Sequence, residues 1–233
     1  MAVAFGTEVH VTPGTGVNTG ASPSITTPAT NPVVIVNVAI KDFTATVSSL
    51  TITGFGGTAT EIKNVREGAG GGYVSIWKIT APTANTAGTV QANLSASVPF
   101  QMSVSTFSGA DQTDPSPTAD AVTSVTATNP ETLTPTNLTA SDATDGCGGS
   151  TANNPAAMTP NARYTDATTA INVSTGDATG TTGVTIRLDV GTAWAKVAVR
   201  IKAAADVVLT TDAAASVFGG FGSIINAVKV VGY

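Results

Sequence analysis

The stretch VVIVNVAI, residues 33–40, is apolar on both faces of a β-pleat. Neighbouring side chains of a strand point to opposite faces of the sheet, so a strand that is apolar at successive positions needs cover on both sides. The stretch therefore predicts a central strand, and it favours a fold made of packed sheets.

Several other stretches alternate apolar with polar residues, which is typical of strands that bury one face. The stretches interpreted as strands are residues 44–53, 73–80, 89–95, 100–105, 184–190 and 195–202, with shorter ones near 121–127, 132–139 and 169–174. Because 182–190 and 194–202 are separated only by GTA, we expect them to form a hairpin. Strands that each bury one face indicate a two-sheet sandwich.

Composition agrees with an all-β chain. Thr and Val favour strands, Gly and Pro mark turns, and long runs of good helix formers are missing. Only 11% of the 233 residues are charged. A weakly charged surface gives little protection against association, so we expect part of it to be buried against other chains.

These patterns predict an all-β fold, an antiparallel two-sheet β-sandwich of the jelly-roll type, with an extended N-terminal arm and a C-terminal tail. Residues 1–32, rich in Gly, Pro, Thr and Ser, are interpreted as the arm, in extended loop or edge-strand conformation. Residues 33–203 are predicted to form one sandwich domain. Residues 204–233 form the tail, which has few charges and many large apolar side chains.

Acidic residues are concentrated where basic ones are missing. The net charge is −5, and no Lys or Arg occurs between Lys78 and Arg163. The acids in that interval are Asp111, Asp114, Asp120, Glu131, Asp142 and Asp145. Binding of nucleic acid requires clustered Lys and Arg, so the sequence predicts no nucleic-acid partner and a polar acidic loop region here.

The sequence also predicts no membrane partner. The first ten residues lack the basic start and long apolar stretch of a secretion signal, and no segment reaches the roughly 20 apolar residues that span a membrane. We expect the protein to be made in a cytoplasm.

The stretch STFSGADQTDPSP, residues 105–117, contains the carboxylate pair that most invites a catalytic hypothesis. A glycosidase needs two carboxylates across a groove, one of them with its pKa raised by burial. Asp111 and Asp114 instead lie among Pro, Ser and Thr, where Asp is a turn former, and we expect both to be solvated. The turn interpretation is favoured over catalysis.

Other candidate sites are weaker. Asp142 and Asp145 in SDATDG lack the spacing of an EF-hand calcium loop. His10 has no Cys or His partner for zinc or for a catalytic triad, and Cys147 is expected to be a neutral loop cysteine. The Gly-rich stretches lack the Lys-Ser/Thr of a phosphate loop. The sequence predicts no catalytic residue, metal or other cofactor.

Two tryptophans leave a choice open. Trp77 and Trp194, if exposed on one sheet face, would form a platform for stacking sugars; if buried, they belong to a core or an interface. Core or interface packing is favoured, and weak glycan binding remains the alternative.

The order of several stretches resembles a β-sandwich domain of bacteriophage structural proteins, of the hypothetical, minor tail or virion type. The stretches are VVIVNVAI, VSSLTITGFGGTATEIKNV, GGYVSIWKITAPTANTAGTVQANLS, MSVSTFSGADQTDPSP and TGVTIRLDVGTAWAKVAVRIKAA, within about residues 30–203. The resemblance implies a jelly-roll-like module displayed on a virion, with no shared catalytic residues.

The predicted function is that of a structural virion protein, foremost a capsid decoration (cement) protein, with copies of itself and other virion proteins as partners. A tail or fibre component and a carbohydrate-binding module at the virion surface are the alternatives. Large apolar side chains left in water would form a patch that monomers avoid, so the tail is predicted to be an assembly element. Its predicted interface residues are Phe218, Phe221, Ile224, Ile225 and Val228.

Overall fold

The structure is a computed structural model that describes residues 1–205 apart from positions 14–15, 43, 68–71, 127, 129, 151–154, 167–170 and 189–193. Residues 206–233, and with them most of the predicted tail, lie outside the described residues. In the described part, strands are joined by turns and one short 3-10 turn at Thr118–Asp120. The prediction of an all-β, antiparallel fold is confirmed.

Seventeen strands follow one another along the described chain. They are β1 (Ala4–Val11), β2 (Val17–Ala21), β3 (Ile25–Thr26), β4 (Val33–Ile40), β5 (Val47–Thr53), β6 (Thr58–Arg66), β7 (Tyr73–Thr80), β8 (Ala87–Val98), β9 (Phe100–Ser108), β10 (Val122–Ser124), β11 (Glu131–Leu133), β12 (Ala143–Ser150), β13 (Pro155–Thr159), β14 (Asn161–Asp166), β15 (Asn172–Thr179), β16 (Val184–Leu188) and β17 (Ala195–Ile201).

The strands form four sheets, numbered here in their stacking order. In sheet 1, β8 pairs with β2, β3 and β5. Sheet 2 has the strand order β1-β9-β4-β7-β6, sheet 3 the order β10-β17-β12-β15-β14, and sheet 4 the order β11-β16-β13. Strands up to β9 therefore build sheets 1 and 2, and strands from β10 onward build sheets 3 and 4.

An apolar core separates each sheet from the next. Val36 and Phe100 lie between sheets 1 and 2, and Ile35 and Val199 lie between sheets 2 and 3. Trp194 lies in the core between sheets 3 and 4. Sandwich packing is as expected, but the described residues form four sheets where two were predicted, and the jelly-roll topology stays a prediction.

Strand β4 is the central strand that VVIVNVAI predicts. All eight of its residues are buried. Val34 and Val36 face the core shared with sheet 1, while Val33 and Ile35 face the core shared with sheet 3.

The prediction that the alternating strands each bury only one face is wrong for the strands of sheets 2 and 3. Gln101, Ser103 and Ser105 of β9 were expected to face solvent, yet all three are buried. Lys196 and Arg200 of β17 are buried as well. The reason is that both inner sheets have another sheet on each face, so the polar side of a strand can face a second interior.

The predicted hairpin between residues 182–190 and 194–202 is also wrong. Strand β16 pairs with β11 and β13 in sheet 4, whereas β17 pairs with β10 and β12 in sheet 3. The GTA connection itself lies outside the described residues. Each segment is a strand as predicted, but the two pack face to face across a core.

Strand β12, at the centre of sheet 3, has no counterpart among the predicted strands because its sequence ATDGCGGS is typical of a loop. Its glycines permit close packing of sheets on both faces. A Cβ on Gly148 would lie 2.8 Å from Trp194 Cζ3, and a Cβ on Gly149 would lie 2.9 Å from Val74 Cγ2. Cys147, expected in a loop, is therefore a buried residue of an inner strand.

Residues 1–32 complete two of the sheets. Strand β1 is an edge strand of sheet 2, paired with β9, and β2 and β3 pair with β8. The edge-strand interpretation of this segment fits the structure. No helix in the described part of the chain is long and apolar enough to cross a membrane.

Candidate functional site

A group of polar side chains interrupts the core between sheets 2 and 3. We call it the interior cluster, and its members are Glu8, His10, Asn37, Asp145, Arg163, Thr175 and Asp177. Sheet 2 supplies three members from β1 and β4, and sheet 3 supplies four from β12, β14 and β15. The cluster thus joins the two inner sheets where apolar packing alone would otherwise hold them.

Hydrogen bonds cross the cluster from one sheet to the other. Asn37 Nδ2 donates to Asp145 Oδ2 at 2.9 Å, and Thr175 Oγ1 donates to Glu8 Oε1 at 2.7 Å. Within sheet 3, Asp177 lies directly opposite Asp145 in the β12–β15 pairing. Buried polar groups are costly without partners, so these bonds specify how the two sheets face each other.

Burial controls the protonation of the cluster. Burial raises the pKa of Asp145 well above its ordinary value, against a hydrogen bond from Asn37 that lowers it, and Glu8 and Asp177 raise it further. Burial likewise raises the pKa of Glu8, opposed by hydrogen bonds from Thr175 and neighbouring serines. Asn37 Oδ1 has no hydrogen-bond donor among the described residues.

His10 packs at the rim of the cluster. Its ring stacks on Tyr164 with the centroids 3.9 Å apart, and its Nδ1 lies 3.3 Å from Glu8 Oε1. Burial lowers the pKa of His10, which favours the neutral ring near pH 7. Among the described residues, no group of three or more His, Cys, Asp or Glu side chains is arranged to hold a metal ion.

Five of the six acids of the interval without Lys or Arg, all except Asp145, form a second group, in which each carboxylate meets a cation that is distant in sequence. We call it the ion-pair belt. Its pairs are Asp111–Lys202, Asp114–Lys78, Asp120–Arg200, Asp142–Arg200 and Glu131–Lys196. The acidic interval was interpreted as a polar loop region, and the structure shows that its charges fasten those loops onto β7 and β17.

Arg200 is the centre of the belt. Its Nη1 lies 2.9 Å from Asp120 Oδ2, and its Nη2 lies 2.9 Å from Asp142 Oδ2. Burial opposes ionisation of Asp120, but hydrogen bonds from Asn137 and Arg200 outweigh it and lower the pKa of Asp120. For Asp142, burial is outweighed by the N–H groups of Ala203 and Thr139 together with Arg200, so its pKa is lowered too.

Asp111 and Asp114, the carboxylate pair of residues 105–117, are held by a turn and by two ion pairs. Asp111 Oδ1 accepts the backbone N–H of Thr113 at 2.8 Å and that of Asp114 at 3.2 Å, the arrangement of an Asx turn. Asp111 also pairs with Lys202 at 2.7 Å, and Asp114 pairs with Lys78. The turn interpretation fits this geometry. The expectation that both acids are solvated is wrong for Asp111, whose side chain is only 17% exposed, whereas the Asp114 side chain is 48% exposed.

The remaining candidates are placed as follows. Trp77 and Trp194 are both buried, so neither offers a platform for stacking sugars. Both tryptophans pack in a core, which is the interpretation that the sequence favoured. Burial raises the pKa of Cys147 well above its ordinary value, which favours the neutral thiol. In the SDATDG stretch, Asp142 belongs to the belt and Asp145 to the interior cluster, so the two carboxylates serve different partners.

The interior cluster was not among the sequence predictions. Its one readable signal is Asn37, a lone amide inside the apolar stretch 33–40. Asp145 and Asp177 give no such signal, because each lies beside glycine in a segment typical of loops. The predicted tail residues Phe218, Phe221, Ile224, Ile225 and Val228 lie outside the described residues.

Both groups tie together segments that are far apart in sequence, and their charged and polar atoms contact one another. Comparison of the chain with protein-family models, with curated proteins and with solved structures finds no match.

Proposed function

We propose that this chain is a structural protein of a bacteriophage virion, a capsid decoration (cement) protein that works by protein–protein assembly. The observation that carries the proposal is a contrast between the tail and the rest of the chain. We call the described residues up to 203 the body. Of the large hydrophobic side chains in the described residues, only Met1 and Val125 are exposed. The body thus accommodates its own apolar residues and offers the tail no broad apolar surface.

The tail brings apolar residues that need such a surface. Residues 206–233 contain Phe218, Phe221 and Ile225 among only three charged residues, Asp206, Asp212 and Lys229. Burying a large apolar side chain contributes roughly 1.5–3 kcal/mol. Docking several of them on another molecule would offset the cost of ordering the segment.

The use of charge in the body supports a structural role. Lys78, Arg163, Lys196, Arg200 and Lys202 each pair with a carboxylate of the same chain. Cations held in this way stabilise the fold and are not presented together to a phosphate-bearing ligand. This is the arrangement expected of a durable module in a particle.

Deletion of residues 207–233 tests the proposal. We expect the truncated chain to stay folded by circular dichroism and to sediment as a monomer, whereas the full chain self-associates and is recovered in many copies from purified virions. Phe218→Asp and Ile225→Asp should weaken association in the full chain, and Thr211→Asp, in the same segment but at a polar position, should not. A truncated chain that still assembles fully, or one that unfolds, would contradict the proposal.

A further inference from the structure

Two buried oxygen atoms of the interior cluster have no hydrogen-bond donor. They are Glu8 Oε2 and Asn37 Oδ1, and neither has a partner among the described residues. The Glu8 side chain is 5% exposed and Asn37 is 1% exposed, so bulk water does not serve them. A buried polar atom without a partner costs free energy, and two of them in one cluster indicate a ligand that meets both.

Both oxygens belong to neighbouring positions of sheet 2. Glu8 pairs with Ser105 across β1 and β9, and Asn37 pairs with Ser103 across β4 and β9. Directly paired side chains have Cβ atoms about 4.5–5.5 Å apart, and alternate residues such as Ser103 and Ser105 point to the same face. The Glu8 carboxylate and the Asn37 amide therefore lie on one face, with two serine hydroxyls beside them.

Sheet 3 brings a second carboxylate to the same place. Asn37 Nδ2 donates to Asp145 Oδ2 at 2.9 Å, and Thr175 Oγ1 donates to Glu8 Oε1 at 2.7 Å. Thr175 pairs with Cys147, which is two residues from Asp145 on the same face of β12. Glu8 and Asp145 thus approach one region from opposite sheets.

The cluster has more acidic groups than cations. Its three carboxyl groups belong to Glu8, Asp145 and Asp177, and its one arginine, Arg163, pairs with Asp177. When ionised, Glu8 and Asp145 leave two negative charges without a cation in the cluster. The free atoms around them are carboxylate, amide and hydroxyl oxygens, which are the ligands of Ca²⁺, whereas Zn²⁺ prefers nitrogen and sulfur.

We propose that the interior cluster is a calcium site, in which Glu8 and Asp145 bind one Ca²⁺ from opposite sheets and Asn37 Oδ1 is a neutral ligand. Ca²⁺ accepts about six to eight oxygens in irregular geometry, so serine hydroxyls and water complete its shell. Such a site needs only two carboxylates, and it is compatible with the lack of a metal-binding group of three or more His, Cys, Asp or Glu among the described residues. The ion fastens edge strand β1 to sheet 3.

This inference departs from the sequence-based prediction of no metal, and it does not depend on the proposed function. Sequence reasoning weighed Asp145 with Asp142, its neighbour in the chain, whereas the fold places Asp145 near Glu8.

The edge of the two sheets gives the ion a way in. Strand β1 is an edge of sheet 2, and β14 is an edge of sheet 3. His10 stacks on Tyr164 between these edges, and Arg163 lies over the ring of Phe5 at 3.6 Å. The His10 and Arg163 side chains are each 28% exposed, so they stand between the cluster and water and admit an ion when they turn aside.

Calorimetric titration of the chelator-treated full chain with calcium chloride tests the site. We expect one ion per chain with a dissociation constant below about 1 mM, within the range of protein calcium sites, and a higher midpoint of thermal unfolding in calcium. Glu8→Gln and Asp145→Asn keep the side-chain shape but each remove one charged ligand, so each should raise the dissociation constant about tenfold or more. Circular dichroism in calcium-free buffer shows whether each variant is folded, and one folded variant is enough to decide.

Asp114→Asn is the matched control, because it removes a carboxylate that is 48% exposed and lies outside the cluster. It should leave the affinity for calcium unchanged. Mg²⁺ requires a regular octahedron of ligands, so it should bind about tenfold or more weakly than Ca²⁺.

Three results would overturn the inference. Calcium binding weaker than about 1 mM would leave water as the ligand that meets the two oxygens. Binding that is unchanged in folded Glu8→Gln or Asp145→Asn, or equally tight for Mg²⁺, would place the ion at surface carboxylates instead. None of these results bears on assembly, which deletion of residues 207–233 tests separately.

Discussion

The interior cluster and the ion-pair belt contain the same kinds of side chain under opposite conditions. Asp145 and Glu8 lie between two sheets with few cations, and burial raises their pKa values. Asp120 and Asp142 are also shielded from water, yet Arg200 and several N–H donors lower their pKa values. A buried carboxylate therefore stabilises this fold only where the chain brings a donor set to it.

The two groups respond to pH in opposite directions. A carboxyl whose folded pKa is raised contributes stability that is present below its unfolded pKa, about 4, and is lost as the pH rises toward the folded value. A carboxyl whose folded pKa is lowered contributes stability that is present above about pH 4 and is lost as the pH falls through the folded value. The belt should therefore fail in acid, and the interior cluster should weaken toward alkaline pH.

Removing the centre of the belt should have the largest effect on stability. Arg200→Met leaves Asp120 and Asp142 buried without their cation, and breaking a buried pair in this way costs about 3–5 kcal/mol. Urea denaturation at pH 7 measures the loss. The difference from the unmodified chain should shrink below about pH 4, as the pH falls through the lowered pKa values of Asp120 and Asp142, because protonated acids no longer require the cation.

Arg187→Met is the matched control for this variant. Arg187 is an exposed arginine of the neighbouring sheet, so its loss should change the free energy of unfolding by less than about 0.5 kcal/mol. If Arg200→Met were as mild as Arg187→Met, the belt would be a surface feature and the comparison above would not hold.

Removing the charge of the interior cluster should stabilise the protein. Asp145→Asn keeps the shape of the side chain but cannot ionise, so it avoids the cost of holding a carboxylate between two sheets. We expect a gain above about 1 kcal/mol at pH 8 and little change at pH 4, measured by urea denaturation across that range. Asp114→Asn, at a carboxylate that is 48% exposed, should show no gain that grows with pH.

The opposite result at position 145 would be informative. If Asp145→Asn destabilised the protein at pH 8 and not at pH 4, the ionised form would be the one that the sheets require, and a cation such as Arg163 would govern the cluster.

Much of the fold could be predicted from residues 33–40, because a run of apolar side chains on both faces admits few alternatives to a central strand. The polar face of β9 was misinterpreted for a physical reason. Gln101 and Ser103 look the same in sequence whether the face opposite is water or a second interior, and the difference depends on strands far away in the chain.

The centre of sheet 3 was missed because its glycines favour loops when judged locally. A side chain at Gly148 would meet Trp194 and one at Gly149 would meet Val74, and both of these neighbours are far from the glycines in sequence. Only the acidic half of the ion-pair belt could be predicted from the sequence. The separation of acids from cations along the chain predicted an acidic region correctly, but only the fold shows that the missing cations are those of β7 and β17.

Loss of the outermost pair of the belt should have the smallest effect. Asp111→Asn keeps a side-chain oxygen that can accept the N–H of Thr113, so the turn survives and only the ion pair with Lys202 is lost. Lys202 is 41% exposed, and pairs of this kind contribute about 0–1 kcal/mol. Burial opposes ionisation of Asp111, but Lys202 and the two turn N–H groups lower its pKa, so the small difference should vanish as the pH falls.

Asp111→Ala removes the turn acceptor as well and should cost clearly more in the same urea titration. Equal costs for Asn and Ala would mean that the ion pair, and not the turn, is what this aspartate provides, and a hydrolytic activity abolished by Asp111→Asn in a fully folded chain would overturn the structural role assigned to it.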